Sequence, residues 1–376
     1  MRTGIATFGL DYGKCPRWLF ERMTKLARLI SIAIVEEFGE EELLKRLADP
    51  VWFQSFGTIL AFDWNASGLT TTTLGALKVG LRDIEEDLGI FVCGGKGKTS
   101  RKTPNDILQK SEKIGFSFAQ AKNLVRASRL TAKVDSSLIQ DGFQIYHHSF
   151  LFTKQGSWAV IQQGMNTELM KARRYHWLGE RVLDFTEEPH QGIMSQLRLP
   201  HILNLTSQQS QENKKVSLKL LEHHNSLLHD LEVLQDYNNP QASFKSLYLE
   251  NREFYSHPVE KINFTSKVLL KNFNNLSIVQ PDDFTKLLLV EGVGPRTIRA
   301  LSLVAEMIYG AKPSYEDPAR YSFAFGGKDN VPYPVDRETY DKSLDIISKA
   351  ISKTNILSFK EKAAALGRVR DLTFTP

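Results

Sequence analysis

The stretch GFQIYHHSFLFTKQGSWAVIQQGM, residues 142–165, decides the fold. Two runs of alternating apolar side chains flank Thr153-Lys154-Gln155-Gly156, a turn that ends in glycine. Alternation at every second residue is the pattern of β-strands, and a short polar turn joins two such strands as an antiparallel hairpin. The stretch therefore predicts a β-hairpin in the N-terminal half of the chain.

Helical periodicity surrounds this hairpin. Residues 16–47 place apolar side chains at three- and four-residue steps with a break at Gly39, which predicts two consecutive helices. Residues 111–134 are helical by the same criterion, and their outward face is basic: Lys113, Lys122, Arg126, Arg129 and Lys133. Beyond residue 215 nearly every segment has the pattern of an amphipathic helix. We expect an N-terminal α+β or α/β region followed by an all-α C-terminal domain.

Composition restricts the class of protein. The chain has 376 residues, a formal net charge of +5 and two cysteines, Cys15 and Cys93. Two cysteines support neither a disulfide framework nor a cysteine-based zinc site, and the N-terminus lacks the apolar core of a signal peptide. No apolar run approaches the length of a membrane span. These features predict a cytoplasmic protein without membrane contact, and the positive charge favours a polyanionic partner.

A glycine-rich segment, FVCGGKGKTSRKTP at residues 91–104, resembles a nucleotide-binding loop at first sight. A P-loop needs a glycine five residues before its Gly-Lys-Thr, and that position holds Val92. We therefore expect no ATP. The residues up to Pro104 predict a continuing loop, either a solvated basic loop or one that contacts phosphate. Its candidate nucleic-acid contacts are Lys96, Lys98, Arg101 and Lys102.

The most specific local motif is FTKLLLVEGVGPRTIRALSLVAEMI, residues 284–308. Two helices flank a Gly-Val-Gly turn, and Pro295 occupies the first turn of the second helix, where its missing N–H costs nothing. The pattern resembles the helix-hairpin-helix DNA-binding motif, whose second helix offers backbone N–H groups to a phosphate. An unrelated helix–turn–helix pair is the alternative. The predicted DNA-contacting residues are Gly292, Gly294, Arg296, Thr297 and Arg299.

A polar segment divides the chain. NLTSQQSQENKK, residues 204–215, contains almost no large apolar side chains, which is typical of a linker. We accordingly predict a catalytic α/β domain at residues 1–203, a linker at residues 204–215 and a helical domain at residues 216–376. The sequence leaves the oligomeric state open, and a homo-oligomer is compatible with it.

Polar residues with catalytic chemistry concentrate in residues 146–193, which contain four of the nine histidines. Adjacent strand residues point to opposite faces, so we expect at most one of His147 and His148, and one of Gln162 and Gln163, to face a common site. Arginines in this stretch are suited to clamping a phosphate, and a histidine to general acid or base catalysis. Each of these residues is alternatively a structural hydrogen-bonding group. The candidate catalytic residues here are His147, His148, Gln163, Asn166, Arg174 and His176.

Carboxylate and imidazole groups occur together at Glu187, Glu188 and His190. Oxygen and nitrogen ligands suit a divalent cation, and such a site activates water against a phosphodiester. We expect these three residues to bind magnesium or manganese, although their spacing matches no standard metal signature.

A second catalytic candidate follows the helix-hairpin-helix pattern. DNA glycosylases with this motif carry a Val-Asp pair after it, and Asp336 in Val335-Asp336 resembles that aspartate. Arg296 stands where some members have a lysine nucleophile, and an arginine cannot serve in that way because it stays protonated. A helix-terminal structural role for Asp336 is the alternative.

Motifs along nearly the whole chain resemble the archaeal and bacterial family called domain of unknown function 763. They include YHHSFLF, WAVIQQGMN, ARRYHW, EEPHQGI and the C-terminal GVGPRT. The resemblance implies a role in DNA metabolism, mainly through the helix-hairpin-helix element, and it brings no established active site.

Three functions are consistent with these features. The favoured one is a metal-dependent nuclease that binds the DNA backbone and hydrolyses phosphodiester bonds in repair or recombination. The alternatives are a DNA glycosylase that uses Asp336 and a DNA-binding protein without catalytic activity.

Overall fold

The computed structural model describes residues 15–60, 67–237 and 263–319. Within them the protein is α+β, with helices packed on both faces of an antiparallel sheet. The helices are α1 (Arg17–Phe38), α2 (Glu40–Ala48), α3 (Pro50–Ile59), α4 (Gly68–Leu81), α5 (Glu85–Leu88), α6 (Thr103–Lys113), α7 (Phe118–Ser137), α8 (Gln211–Glu222), α9 (His224–Tyr237), α10 (Lys267–Val279), α11 (Phe284–Leu289) and α12 (Pro295–Met307).

The central sheet has five strands in the order β1-β3-β4-β5-β6, and each neighbouring pair is antiparallel. These strands are β1 (Ile90–Lys96), β3 (Gln144–Thr153), β4 (Trp158–Asn166), β5 (Lys171–Leu178) and β6 (Gly192–Ser195). A second, two-stranded sheet pairs β2 (Ile139–Gln140) with β7 (Leu203–Asn204). The hairpin predicted over residues 142–165 is confirmed as β3 and β4.

Helices cover both faces of the central sheet. Along β3, Phe150 belongs to the core shared with α7 and the C-terminal helices, whereas its neighbour Leu151 belongs to the core formed with α1 to α4. Successive strand residues point to opposite faces, and both faces are apolar here, so the strand is buried on both sides. The first of these cores extends without interruption from Trp177 in the sheet to Leu301 in α12.

The predicted helix pair at residues 16–47 is confirmed, with its break at Gly39. Gly39 has a φ of 85°, a left-handed conformation that glycine adopts without a steric penalty, and it separates α1 from α2. The helix predicted within residues 111–134 is divided between the end of α6 and α7. Ser117 and the side chain of Gln120 form a capping box at the start of α7, which ends the intervening turn.

The loop prediction for residues 100–104 is wrong. Residues 97–102 form a 3-10 turn, and α6 begins at Thr103 with Pro104 in its first turn. A proline at this position loses only an N–H that has no acceptor within the helix, so it starts the helix instead of preventing it.

The polar segment at residues 204–215 is ordered and largely packed. It comprises the end of β7, a short 3-10 turn and the first residues of α8. Asn213 is buried, and its Nδ2 donates to the carbonyl oxygen of Ser302 at 2.9 Å. Polar side chains stay in the interior here because backbone groups of other segments bond them. The predicted domain boundaries remain a prediction, and the polar composition reflects these buried hydrogen bonds.

No helix among the described residues is both long and apolar enough to cross a membrane.

Candidate nucleic-acid interface and adjoining cavity

The His148 side chain lies in a buried hydrogen-bond network between β3, β4 and α7. Its Nδ1 is 2.8 Å from Oε1 of Gln162, and its Nε2 is 2.9 Å from Oγ of Ser128. Nε2 of Gln162 in turn donates to a carboxylate oxygen of Asp135 at 2.5 Å. Burial lowers the pKa of His148, so its imidazole is neutral at neutral pH.

His147 points to the opposite face of the sheet. Its Nε2 is 2.9 Å from Oγ of Ser149, and Gln163, its partner across the strands, donates to the carbonyl oxygen of Ser67 at 2.8 Å. Burial lowers the pKa of His147 to about 3. The expectation that His147 and His148 face different environments is confirmed.

Arg174 and His176 lie in the same buried layer as His147. Nε of Arg174 donates to Nε2 of His176 at 2.8 Å, and Nη2 donates to Oε1 of Gln54, also at 2.8 Å. Burial lowers the pKa of Arg174 to about 9 and that of His176 well below its usual range. These groups contact each other and the protein interior, not solvent.

Arg173 is also buried and holds two carboxylates. It donates to Asp141 at 2.8 Å and to Asp317 at 2.7 Å. Burial by itself would lower the pKa of Arg173, but the two carboxylates outweigh this effect and raise it. This guanidinium is committed to internal ion pairs and not to an external phosphate.

The candidate catalytic residues therefore have different surroundings. Five are buried with internal partners: His147, His148, Gln163, Arg174 and His176. Asn166 accepts hydrogen bonds from the backbone of Glu168 and Leu169 in the turn between β4 and β5, at 3.0 and 2.9 Å. Asp336 lies outside the described residues. A catalytic role for these residues stays a prediction, and the geometry of the buried five favours the structural alternative.

The three candidate metal ligands also have different surroundings. Glu187 accepts a hydrogen bond from Gln211, Glu188 is exposed, and Nε2 of His190 is 2.5 Å from Oδ1 of Asp135. Among the described residues, no group of three or more histidine, cysteine, aspartate or glutamate side chains is arranged to hold a metal ion. Metal binding stays a prediction.

Asp135 is the central acceptor of this region, and the sequence analysis did not identify it. Its carboxylate is fully buried and accepts from His190, Gln162 and Nε1 of Trp177, the last at 2.9 Å. A signal was present in α7, where Ser128 and Asp135 share the inward face with apolar residues. A carboxylate seven residues from another polar group on a buried helix face requires internal donors.

His190 connects this network to a cavity of about 360 Å³. The walls also include Glu188, Arg198, Glu316 and Asp317. A carboxylate can only accept, so Nε2 of His190 donates its hydrogen to Asp135, and Nδ1 is the ring nitrogen left for other partners. Glu188 has a φ of 40°, a conformation uncommon for a residue other than glycine, and its N–H is bonded to the carbonyl oxygen of Thr206 at 2.8 Å.

Helices α11 and α12 are joined by a tight turn at residues 290–294, here called the α11–α12 turn. Gly292 has a φ of 86°, and a Cβ there would lie 2.5 Å from Oδ1 of Asn272. A Cβ on Gly294 would meet no atom of the described residues within 4 Å, so the backbone at the start of α12 is open to them. Within the described part of the chain, no side chain caps this helix.

The predicted DNA-contacting residues of this region separate by exposure. Gly292 and Arg296 are exposed and Gly294 is half-buried. Thr297 and Arg299 are buried, and Oγ1 of Thr297 accepts a hydrogen bond from Asn272 at 3.2 Å. The first group thus lies at least partly at the surface, whereas the second lies in the interior.

A row of cations on α7 runs beside this turn. The basic stripe consists of Lys122, Arg126, Arg129 and Lys133, whose spacing of four, three and four residues puts them on one helix face. Arg126 donates to Oγ1 of Thr285 in α11 at 3.4 Å, and Lys133 donates to the carbonyl oxygen of Val293 in the turn. At the far end, Phe118 is 69% exposed and has Nζ of Lys122 4.4 Å from its ring centroid.

A second group of cations follows β1. The basic loop, residues 96–102, exposes Lys96, Lys98, Arg101 and Lys102. Nζ of Lys96 lies 5.8 Å from the ring centroid of Tyr146. Gly94, with a φ of 80°, lies within β1 opposite Ser149, and the pairing with β3 continues to Lys96.

These features define an α+β protein with a buried polar network, an adjoining cavity and basic surfaces on α7 and after β1. The chain belongs to the family described as Protein of unknown function (DUF763), which it matches over residues 4–335. The family predicted from the sequence motifs is thereby confirmed. No curated protein and no solved structure matches the chain significantly.

Proposed function

We propose that this protein binds DNA through the phosphate backbone, as a helix-hairpin-helix protein does. The observation that carries the proposal is the basic stripe of α7 beside the open start of α12. Arg126 and Lys133 contact α11 and the α11–α12 turn directly, so the cations and the turn form one continuous surface.

Two physical effects make the turn suitable for a phosphate. The first backbone N–H groups of a helix have no acceptor within it, and the helix dipole places partial positive charge there. Gly294 adds no side chain that would keep a phosphate oxygen away. Such contacts hold the backbone without reading the base sequence.

The basic stripe supplies the long-range attraction. Lys122, Arg126 and Arg129 are exposed on one face of α7. Each lysine or arginine that neutralises a duplex phosphate releases counterions, so binding weakens with salt by about 0.9 log units per contact for each log unit of salt. Binding through this surface should therefore depend steeply on ionic strength.

The test is fluorescence anisotropy with labelled single- and double-stranded oligonucleotides over a series of salt concentrations. A double variant, Lys122→Glu with Arg129→Glu, should weaken binding and reduce the salt slope by about two contacts. The control, Lys25→Glu with Lys154→Glu, makes the same change of net charge at exposed positions outside this surface. A slope near zero for the unmodified protein, or equal effects of both double variants, contradicts the proposal.

Hydrolysis of phosphodiester bonds is the second candidate function, in the context of repair or recombination. It is supported by the His190–Asp135 pair, because an imidazole held by a carboxylate and open at its other nitrogen can act as a general base. Nδ1 of His190 would take a proton from the attacking water. The divalent cation predicted from the sequence would assist by stabilising charge on the phosphate.

Incubation with plasmid, single-stranded and lesion-containing DNA tests this second function. Cleavage that requires magnesium or manganese and is lost with EDTA is the expected result. Abasic sites without strand cleavage would instead indicate the glycosylase alternative, and unaltered DNA that remains bound would indicate a binding protein.

A further inference from the structure

We infer that the cavity beside His190 binds an unpaired nucleobase that carries an amino group, with guanine as the best fit. The inference rests on the proposed binding of nucleic acid, because that function would bring bases to this region. It adds a specificity site to a surface that otherwise contacts only phosphates.

A chain of hydrogen bonds and ion pairs links the start of α12 to the cavity wall. Nε2 of Gln140 donates to the carbonyl oxygen of Pro295 at 2.9 Å. The next residue, Asp141, binds Arg173, and Arg173 holds Asp317 in the cavity wall. Two adjacent residues, Gln140 and Asp141, thus connect the first turn of α12 to the cavity wall.

The walls favour a ligand rich in N–H groups. Glu316 is exposed and Nδ1 of His190 is an acceptor, whereas the carboxylate of Asp317 is already occupied by Arg173 and by the N–H groups of Leu199 and Ala319. Glu188 adds another carboxylate to the lining. Carboxylates accept hydrogen bonds from N–H and amino groups, so a base that carries such donors fits this lining.

Arg198 supplies the complementary donor. It is exposed at the cavity, and a guanidinium donates two parallel hydrogen bonds to O6 and N7 of guanine. The N1–H and amino groups of the same base pair with a carboxylate such as that of Glu316. Ile193 and Pro318 provide apolar wall for the ring face.

The orientation of the His190 ring is fixed because its Nε2 is bonded to Asp135. Its side chain is only 7% exposed, and Nε2 is its one hydrogen-bonding atom with a partner among the described residues. The ring also packs against Trp177, with centroids 4.5 Å apart. The accessible Nδ1 at the cavity wall is available to a donor from a ligand or from water.

The experiment uses the full-length protein with isotope-labelled histidine and follows the histidine signals by NMR. Deoxyguanosine is added in one titration and thymidine in another. His190 is assigned in the spectrum by its absence in His190→Gln. Deoxyguanosine should shift the His190 signal with an affinity at least about tenfold above that of thymidine, because thymine has no amino group to satisfy the acceptors.

Two variants of exposed glutamates complete the test. Glu316→Gln should weaken deoxyguanosine binding by about tenfold or more, since a charged acceptor becomes neutral. Glu222→Gln makes the same change on the exposed face of α8 and should leave binding unchanged. Equal affinity for both nucleosides, or equal behaviour of both variants, overturns the inference.

The two proposals can fail separately. Oligonucleotide binding without any response of His190 to deoxyguanosine overturns the cavity assignment and leaves backbone binding standing. A His190 response to deoxyguanosine in a protein that binds no oligonucleotide overturns the proposed function instead.

Discussion

Arg173 and Asp317 form a fully buried, two-point ion pair between β5 and the segment that follows α12. Nη1 lies 3.1 Å from Oδ1 and Nη2 lies 2.7 Å from Oδ2. Asp141 shares the same guanidinium. Planar pairing of this kind fixes geometry as well as charge, so it ties the central sheet to one wall of the cavity.

Asp317→Asn should destabilise the protein strongly. Removing one member of a buried ion pair typically costs about 3–5 kcal/mol, because the remaining charge stays out of water without compensation. Asp141 still contacts Arg173, so we expect a loss in free energy of unfolding near the lower end of that range. Urea denaturation followed by circular dichroism measures it.

The control for this variant is an exposed pair. Arg17 and Glu21 are bonded at 2.9 Å, but their side chains are 93% and 58% exposed. Arg17→Ala should therefore change the free energy of unfolding by no more than about 1 kcal/mol. A cost for Asp317→Asn as small as this would show that the buried pair contributes little.

The buried histidines should make the protein sensitive to acid. Burial lowers the pKa of His147 from 6.5 to about 3 and also lowers the pKa of His148 and of His176. As pH falls below 6.5, the unfolded chain takes up protons that the folded protein does not. For His147 this contribution to stability is complete above pH 6.5 and is lost as the pH falls towards 3, by about 1.4 kcal/mol per pH unit, and His148 and His176 act in the same direction.

His147→Gln tests this dependence through the slope of the free energy of unfolding against pH. A change in stability that is the same at every pH does not alter that slope. Between pH 6 and pH 4 the free energy of unfolding should fall less steeply with decreasing pH in the variant. The difference in slope should correspond to about one fewer proton taken up on unfolding. His201→Gln replaces an exposed histidine and controls for the loss of the residue type. An unchanged slope in His147→Gln would contradict the burial of a neutral imidazole.

Gly94→Ala should be far more damaging than Gly97→Ala. At Gly94, with a φ of 80°, a Cβ would lie 2.3 Å from the carbonyl oxygen of His148 and 2.5 Å from Oγ1 of Thr103. At Gly97, with a φ of 59°, it would meet no atom within 4 Å. We expect costs of at least about 2 and of about 1 kcal/mol respectively. Similar midpoints of thermal unfolding for both variants would mean that the strand pairing at Gly94 adjusts freely.

Local periodicity was sufficient to predict much of the fold. The hairpin at residues 142–165 and the break at Gly39 follow from side-chain alternation, helical spacing and glycine conformation, which depend on neighbours in sequence. The start of α6 at Thr103 does not follow from the sequence, because a proline such as Pro104 in a polar stretch signals a loop and a first helical turn equally well.

The site was harder to predict because polar residues look alike whether they face solvent or the interior. His147, Arg174 and His176 were grouped as candidate catalytic residues, yet their partners include Gln54 and Thr70, more than a hundred residues from Arg174. Such long-range pairing leaves no local pattern. The roles of Asp135 and Asp317 cannot be predicted from the sequence for the same reason. The role of a single aspartate depends on the hydrogen-bond donors that the fold brings to it from distant parts of the chain.

The last prediction concerns the basic loop and depends on the proposed DNA binding. Lys98 and Arg101 are exposed in the 3-10 turn that follows β1, on a backbone anchored by Gly94 against His148. Anchoring at its base gives the loop a defined position, so its cations can contact one particular phosphate. The double variant Lys98→Glu with Arg101→Glu therefore separates two roles of this contact.

Loss of affinity in anisotropy measurements, with a salt slope reduced by about two contacts, would assign the loop to backbone binding away from the reaction. Loss of DNA cleavage at saturating protein, with affinity retained, would assign it to the scissile phosphate, because stabilising charge in the transition state raises the rate without tightening ground-state binding. The control Lys25→Glu with Lys154→Glu carries the same change of charge elsewhere on the surface. If that control and the loop variant behave alike in both measurements, the basic loop is a solvated loop and contacts no nucleic acid.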